Sequence, residues 1–198
     1  TPEVALEAAR AAQSHIGLAR ALARDPQMRE RRRAIITAPA SVRSVGEAVM
    51  AADRLLETAK AQADAQVSER NAREKAELMR QLGMDEGESA TKASRTMIRQ
   101  LEEDQKRRSK RALTDAIDRA LIDLLAIYRD VLMVQVGGDG ELINTDLSDL
   151  VHEIAQDSTP RQTLARVDHI ETARKRLVSN GNPLLVLEDM AISLRPQA

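Results

Sequence analysis

Apolar residues recur at the three- and four-residue spacing of an α-helix along almost the whole chain. No stretch shows the strict alternation of apolar and polar residues that is typical of a half-buried strand. Polar residues with helix-capping character precede several of the periodic segments, most clearly at Ser44, Thr159 and Asn182. The sequence therefore predicts an all-α fold, a bundle of helices joined by short connections.

Two of the predicted helices are long, over residues 44–82 and 90–136, and a glycine-containing turn at residues 83–87 separates them. Their adjoining halves carry few apolar side chains, and residues 102–111 carry none. A helix that is polar on every face cannot be buried in a core. We therefore expect an antiparallel helical hairpin over about residues 61–111 that projects from the helical body into solvent.

The first 40 residues contain shorter helical segments. Thr1 followed by Pro2 is a typical helix start, residues 14–17 interrupt the pattern, and residues 28–36 are strongly basic. Residues 37–39 are predicted to form a linker, because the proline at position 39 disfavours helical geometry in the residue before it. The absence of an initial methionine suggests that the chain is a fragment.

Composition removes several classes of function. The chain has no cysteine, which excludes disulfides and thiolate metal sites, and the formal net charge of −1 gives no overall attraction to nucleic acid. Tyr128 is the single aromatic residue, so stacking on single-stranded nucleic acid is not expected. The glycines at 137–140 lack the lysine of a phosphate loop and predict a turn. We expect no catalytic site, cofactor, metal, small-molecule substrate or membrane span.

Basic side chains are concentrated in two clusters, in residues 29–33 and 106–111. Either cluster could contact phosphates, and the first could instead contact a neighbouring subunit. The alternative is a solvated helix face, on which Glu102–Lys106, Glu103–Arg107 and Asp104–Arg108 would each contribute only ~0.2–0.5 kcal/mol at i,i+4 spacing. The candidate phosphate contacts are Arg29, Arg31, Arg32, Arg33, Lys106, Arg107 and Arg108.

Residues 113–132 and 184–194 carry more apolar side chains than one buried stripe requires. Val178 and Leu185 belong to the apolar residues of the last two predicted helices. Surplus apolar surface usually marks a partner site, and a stable contact would bury at least about 1,000 Å². The candidate interface residues are Leu124, Leu125, Tyr128, Val131, Leu132, Leu184 and Leu187.

Three stretches, in the right order, resemble the C-terminal part of bacterial DNA polymerase III clamp-loader subunits of the delta-prime type. Residues 8–22 resemble the end of the small helical lid of AAA+ subunits. Residues 111–132, followed by 141–144, are similar to the central collar helix, especially that of high-GC Gram-positive bacteria. Residues 182–190 resemble the last collar helix. Residues 61–111 are the part least covered by the resemblance.

The resemblance implies a division into a lid tail, residues 1–37, and a collar domain, residues 38–198. Gly17 and Arg20 match the glycine and arginine that open the sensor-2 helix, in a class of subunit that does not itself hydrolyse ATP. The ATPase core would precede Thr1, so the chain is expected to be non-catalytic. Its expected partners are delta and gamma/tau subunits, bound through the collar in the cytoplasm, with DNA contact at most weak or indirect.

Two rival interpretations remain open. A free-standing coiled-coil or helical-bundle adaptor would use the hairpin as its functional part and would self-associate through it. A DNA-binding protein would use the two basic clusters, and its affinity would fall steeply with salt. An enzyme ranks last.

Overall fold

The structure, a computed structural model, describes residues 1–13, 15–83 and 91–195. Within these ranges the chain forms eight α-helices and one short 3-10 helix, and no strand occurs, so the all-α prediction is confirmed. The helices are α1 (Pro2–Ala11), α2 (Ile16–Arg24), α3 (Pro26–Ser41), α4 (Val45–Gln81), α5 (Lys92–Gln135), the 3-10 helix (Thr145–Leu147), α6 (Ser148–Gln156), α7 (Pro160–Val178) and α8 (Pro183–Leu194).

Local sequence signals set the starts of these helices. Ser44 and Glu47 form a reciprocal capping box: the Glu47 amide donates to Ser44 Oγ at 3.1 Å, and the Ser44 amide donates to Glu47 Oε2 at 3.2 Å. Thr159 and Gln162 form a second box at the start of α7. Asn182 caps α8 through its side-chain oxygen. Each predicted cap is confirmed, because capping depends on residues only three positions apart.

The linker predicted at residues 37–39 is wrong, because α3 continues through it to Ser41. A proline inside a helix usually costs about 3 kcal/mol. Pro39 lies in the last turn of α3, where few further backbone bonds depend on it. Ile36, one turn earlier, is 2% exposed, so burial of this segment favours the continued helix. The boundary of the predicted lid tail therefore falls inside a helix.

Helices α1, α2 and the start of α3 share a small apolar cluster. Ala8, Ala11 and Leu22 form its buried centre, and Leu18 and Met28 pack against it. Helix α2 begins at Ile16, within the break predicted at residues 14–17, and Ser14 lies outside the described residues. His15 caps α2 by accepting the Leu18 amide on Nδ1. Small alanine side chains let these short helices approach closely.

The chain divides into two compact units. One, which we call the body, contains residues 1–56 and 118–198, and the other, the hairpin, contains residues 57–117. Burial in the body centres on the C-terminal half of α5, in agreement with the many apolar residues of that half. Each large apolar side chain removed from water contributes about 1.5–3 kcal/mol. The largest buried side chains of the body include Ile36, Leu121, Leu124, Ile127, Val131, Val151, Ile170, Leu187 and Leu194.

The two arms of the hairpin run antiparallel, as predicted. Near one end Ala63 and Val67 of α4 cluster with Ala112 of α5, with Leu113 packed against them. Farther along, residues 74 and 75 of α4 contact residues 108 and 102 of α5, so the numbers rise on one arm as they fall on the other. The turn predicted at residues 83–87 lies, apart from Gly83, outside the described residues. Projection of the hairpin into solvent stays a prediction.

Candidate subunit interface

The predicted interface residues divide into two groups. Leu124, Tyr128, Val131 and Leu187 are each at most 3% exposed, so their side chains lie inside the core of this chain. Leu124, Tyr128 and Val131 lie on the part of α5 where burial in the body is concentrated, and Leu187 lies on α8. These four side chains therefore present almost no surface to a partner. The half-buried candidates are Leu125, Leu132 and Leu184.

Other apolar side chains of the body reach solvent. Val178 at the end of α7 is 78% exposed and Leu185 in the first turn of α8 is 63% exposed. They flank the short connection between two helices that pack on each other. Leu164 on α7 and Val136 after α5 are at least half exposed. Sequence periodicity assigned Val178 and Leu185 to apolar faces, and only the packing of α7 on α8 shows that they are left uncovered.

The first basic cluster is largely engaged within the body. Arg29 donates to the carbonyl oxygens of Leu22, at 2.6 Å, and Ala23, at 3.3 Å, at the end of α2. Arg31 lies 3.4 Å from Asp25, the cap of α3. These contacts stabilise the junction between α2 and α3, because the last carbonyls of a helix need donors.

Two further arginines of this cluster bind acidic residues distant in sequence. Arg33 lies 3.6 Å from Asp146, and more than half of its side chain is exposed. Arg32 Nε donates to Asp123 Oδ1 at 3.0 Å, and both side chains are at most one-tenth exposed. Burial raises the pKa of Asp123, while the Arg32 guanidinium acts in the opposite direction. Arg32 is therefore a structural residue that ties α3 to α5, and it is removed from the candidate phosphate contacts.

Asp130 of α5 is the centre of a buried polar network that the sequence reasoning missed. It is completely buried and accepts four hydrogen bonds. Oδ2 accepts from the amide and from the side-chain Nδ2 of Asn144, at 2.8 and 2.9 Å, and Oδ1 accepts from the Ile143 amide at 3.0 Å. Arg129 Nη1 supplies the fourth bond at 2.8 Å. A lone acidic residue within an apolar helical run was the available signal in the sequence.

The same network continues to the first helices of the body. Arg32 donates through Nη2 to the side-chain oxygen of Asn144, which is itself fully buried. Arg129 also donates to the Glu141 carbonyl at 2.9 Å, and Arg10 of α1 contacts the Glu141 carboxylate at 2.8 Å. Residues 141–144 therefore hold α1, α3 and α5 together. The buried polar groups of this network are paired, as stability requires.

The second basic cluster lies in the hairpin. Arg108 donates to Asn71 Oδ1 at 2.7 Å and to Glu74 Oε2 at 2.8 Å across the two arms. The hydrogen bond from Arg108, with a second one from Arg70, lowers the pKa of Glu74 to about 2. Gln105 of α5 also donates to the Asn71 carbonyl at 2.8 Å. Polar bonds thus join the arms where apolar residues are scarce.

These bonds differ from the ion pairs that i,i+4 spacing predicted. Arg107 contacts Asp104 at 2.7 Å, one turn away at i,i+3, and Arg108 contacts the opposite arm. Glu102 also contacts the opposite arm, at Lys75 Nζ, 3.2 Å away. Lys106 is exposed. Ion pairs across the arms form in place of the predicted i,i+4 pairs because α4 pairs with α5. This pairing brings together opposite charges that are 27 or more residues apart in sequence.

Gly17 and Arg20 both lie on α2 and are exposed. A Cβ atom at position 17 would lie 3.4 Å from the His15 ring, which is an ordinary contact distance, so the local packing does not require glycine here. In the described part of the chain no cluster of three or more His, Cys, Asp or Glu residues is arranged to hold a metal ion. None of the described helices combines the length and apolar character needed to cross a membrane.

Comparison with known proteins bears on the identity of this helical body. The family described as DNA polymerase III, delta subunit, C terminal matches residues 88–195, more than half of the chain. The chain belongs to this family. DNA polymerase III subunit delta′ of Bacillus subtilis (strain 168) is 36% identical over 72 residues, which are 36% of this chain and 22% of that protein. The expected resemblance to delta-prime subunits is thereby confirmed.

The family match covers the C-terminal helices of this chain, and the match to the relative covers a small part of that protein's length. The chain spans about a fifth of the length of the Bacillus subtilis relative, and no solved structure matches. The family match includes α5 to α8, which contain Asp130 and both Val178 and Leu185. It does not include α1 to α3, so the lid tail stays a prediction. The high-GC Gram-positive subgroup also stays a prediction.

Proposed function

We propose that this chain is the non-catalytic C-terminal portion of a cytoplasmic clamp-loader subunit of the delta-prime type, acting in DNA replication. The observation that carries the proposal is the family match over residues 88–195, which covers the helices around the Asp130 network. The buried polar groups of the Asp130 network bond to one another and hold helices together. Such an arrangement is typical of a structural scaffold, because its ionised groups bind other groups of the same chain and stabilise the packing of the helices.

The chain assembles with other loader subunits, delta and gamma/tau, through its collar. Val178 and Leu185 supply exposed apolar surface on the two C-terminal helices, and the half-buried Leu184 lies beside Leu185 in sequence. Exposed apolar side chains at the centre of a contact, surrounded by charged residues, are typical of protein interfaces. Arg176 and Asp189 are an exposed charged pair on these same helices.

The lid tail, residues 1–37, and the collar, residues 38–198, act as one piece in this proposal. Helix α3 runs across their boundary, and the buried pair of Arg32 with Asp123 binds it to α5. Gly17 and Arg20 then serve packing or subunit contact on an exposed helix, without a role in hydrolysis.

The test is assembly with purified delta and gamma/tau subunits of the same organism, with mass read by light scattering. We expect a stoichiometric complex, and we expect Val178→Lys and Leu185→Lys to weaken it at least tenfold. Thr172→Lys is the matched control, because Thr172 is an exposed polar residue on α7 and gains the same charge. Absence of a complex with the unaltered chain would contradict the proposal.

A free-standing adaptor that acts through the hairpin is the alternative. Met97 of the hairpin is 50% exposed, and it lines a cleft with Leu78 and Leu101. This interpretation predicts self-association that disappears when residues 61–111 are removed, whereas the loader proposal predicts that binding to other subunits survives. DNA binding is less well supported, because Arg29, Arg32 and Arg108 already have partners within the chain.

A further inference from the structure

The body contains a pocket of about 200 Å³ with an unusual polar wall. It opens where the end of α3 meets α5, α6, α7 and α8. Pro39, Ile154 and Leu194 supply apolar lining, and Ser158, Tyr128 and Arg166 supply polar groups. A protein cavity of about 150 Å³ can hold a benzene molecule, so a pocket of this size is suited to a single side chain.

Arg166 is a buried cation in this wall. The residue is only 7% exposed, yet it forms no hydrogen bond and no ion pair with the residues that the structure describes. Its contact is with an aromatic face: Cζ lies 5.8 Å from the centre of the Tyr128 ring. A cation–π contact contributes about 0.5–2 kcal/mol, and the guanidinium nitrogens keep access to the solvent in the pocket. The guanidinium therefore has unused donors beside a pocket.

Tyr128 offers a second donor. The residue is 3% exposed, and its hydroxyl forms no hydrogen bond within the described ranges. Burial raises the pKa of Tyr128 to about 12, although nearby Arg166 acts in the opposite direction. The phenol is thus protonated at neutral pH and able to donate. The Ser158 hydroxyl is not available as a donor to a ligand, because it donates to the Ile154 carbonyl at 2.6 Å.

We propose that this pocket binds the carboxylate of an aspartate or glutamate side chain that a partner protein inserts. A guanidinium forms two parallel hydrogen bonds with a carboxylate, and the Tyr128 hydroxyl would add a third. The methylene groups of the inserted side chain would contact Ile154 and Leu194. Arginine and tyrosine, the two donors of this pocket, are among the residues that most often carry the binding energy of an interface.

The charges near the opening favour a carboxylate over a phosphate. Glu153 and Asp157 line the pocket and are exposed, and Arg43 also lines it. Two carboxylates beside the opening would repel a doubly charged phosphate more strongly than a singly charged carboxylate. They would also attract a lysine or arginine next to the inserted acid. The favoured partner segment therefore carries an acidic residue with a basic neighbour.

Tyr128 makes the pocket directly observable, because it is the single aromatic residue in the chain. The probe is N-acetyl-L-glutamic acid α-amide, which mimics a glutamate residue, and its emission readout comes from Tyr128 alone. The neutral isostere N-acetyl-L-glutamine amide is the ligand control, and inorganic phosphate is the competing anion, all at constant ionic strength. We expect a saturable change with the glutamate mimic and at least tenfold weaker responses to the other two.

Variants test the assignment to Arg166. Arg166→Gln is expected to weaken binding of the glutamate mimic at least tenfold, and Arg166→Lys to weaken it less. Arg161→Gln is the matched control, because Arg161 is exposed on the same helix and does not line the pocket. Far-ultraviolet circular dichroism confirms that each variant is folded. If Arg166→Gln fails to fold, the unaltered chain still tests whether the pocket binds a carboxylate, through the comparison of the glutamate mimic with its neutral isostere.

Equal responses to the glutamate mimic and its neutral isostere would overturn the proposal, as would no response to either. Tighter binding of phosphate would overturn the choice of a carboxylate. Unchanged affinity in Arg166→Gln would remove Arg166 from the site. The experiment uses this chain alone, so its outcome is independent of whether the chain joins a clamp loader.

Discussion

Replacement of Asp130 should destabilise the body more than replacement of any exposed acidic residue. Its carboxylate is fully buried and accepts two backbone amides, one side-chain amide and one guanidinium. Asp130→Ala removes all four acceptor contacts. The Asn144 amide would then be a buried donor without an acceptor, and the Ile143 amide would be partly buried.

The magnitude follows from these contacts. An unsatisfied buried donor costs about 1–3 kcal/mol, and hydrogen bonds to a charged group contribute about 1.5–3 kcal/mol each. The Arg129 side chain is 45% exposed and can be solvated in the variant, so its hydrogen bond to Asp130 contributes little. We expect Asp130→Ala to lower the free energy of unfolding of the body by about 3–5 kcal/mol. Asp130→Asn, which keeps one acceptor oxygen, should lower it by about 2 kcal/mol.

Urea denaturation followed by Tyr128 fluorescence measures this directly, since Tyr128 lies in the same helix two residues away. The matched control is Asp168→Ala on α7, where the residue is exposed and the change should stay within about 0.5 kcal/mol. A loss below about 1 kcal/mol in Asp130→Ala would refute the view that this network holds the body together.

Three further results follow from the same structure. Tyr128 should titrate near pH 12. Because the folded state disfavours the ionised phenol, the free energy of unfolding should fall by on the order of 3 kcal/mol as the pH rises from 10 to 12. Titration near pH 10, followed by ultraviolet absorbance, would contradict the burial of Tyr128. Arg32→Gln should cost about 3–5 kcal/mol by urea denaturation, because Asp123 stays buried without its cation; a loss under 1 kcal/mol would contradict this. The contact of Glu74 with Arg108 should stabilise the hairpin above pH 4.5 and lose effect as pH falls through about 2. Thermal melts of Glu74→Gln and the unaltered chain should therefore converge in acid, and a constant difference would contradict the assignment.

Helix positions were predictable because their causes are local. Apolar spacing gave the two long helices within two residues of their ends, and capping residues gave the starts of α4, α7 and α8. The pattern also gave the antiparallel hairpin, since two weakly apolar arms on either side of a turn have few other partners. Prediction failed at residues 37–39, where burial of Ile36 outweighs the local effect of Pro39.

The candidate site was less accessible to sequence reasoning. Apolar character alone could not separate Leu124 and Val131, which are buried within this chain, from Val178 and Leu185, which are exposed. Likewise, a basic run does not reveal that Arg32 has a buried partner 91 residues away. Exposure and pairing depend on which helices meet, and that information is spread over the whole chain.

The sequence by itself determined that this protein is helical, where most helices begin and end, and which family it resembles, because periodicity, capping and motif order are read along the chain. Only the tertiary structure decided which apolar residues form the core, which charges pair across the hairpin, and that Arg166 lies beside Tyr128 at a pocket. The physical reason is that burial and ion pairing depend on distances between residues remote in sequence, and those distances exist only after the helices have packed.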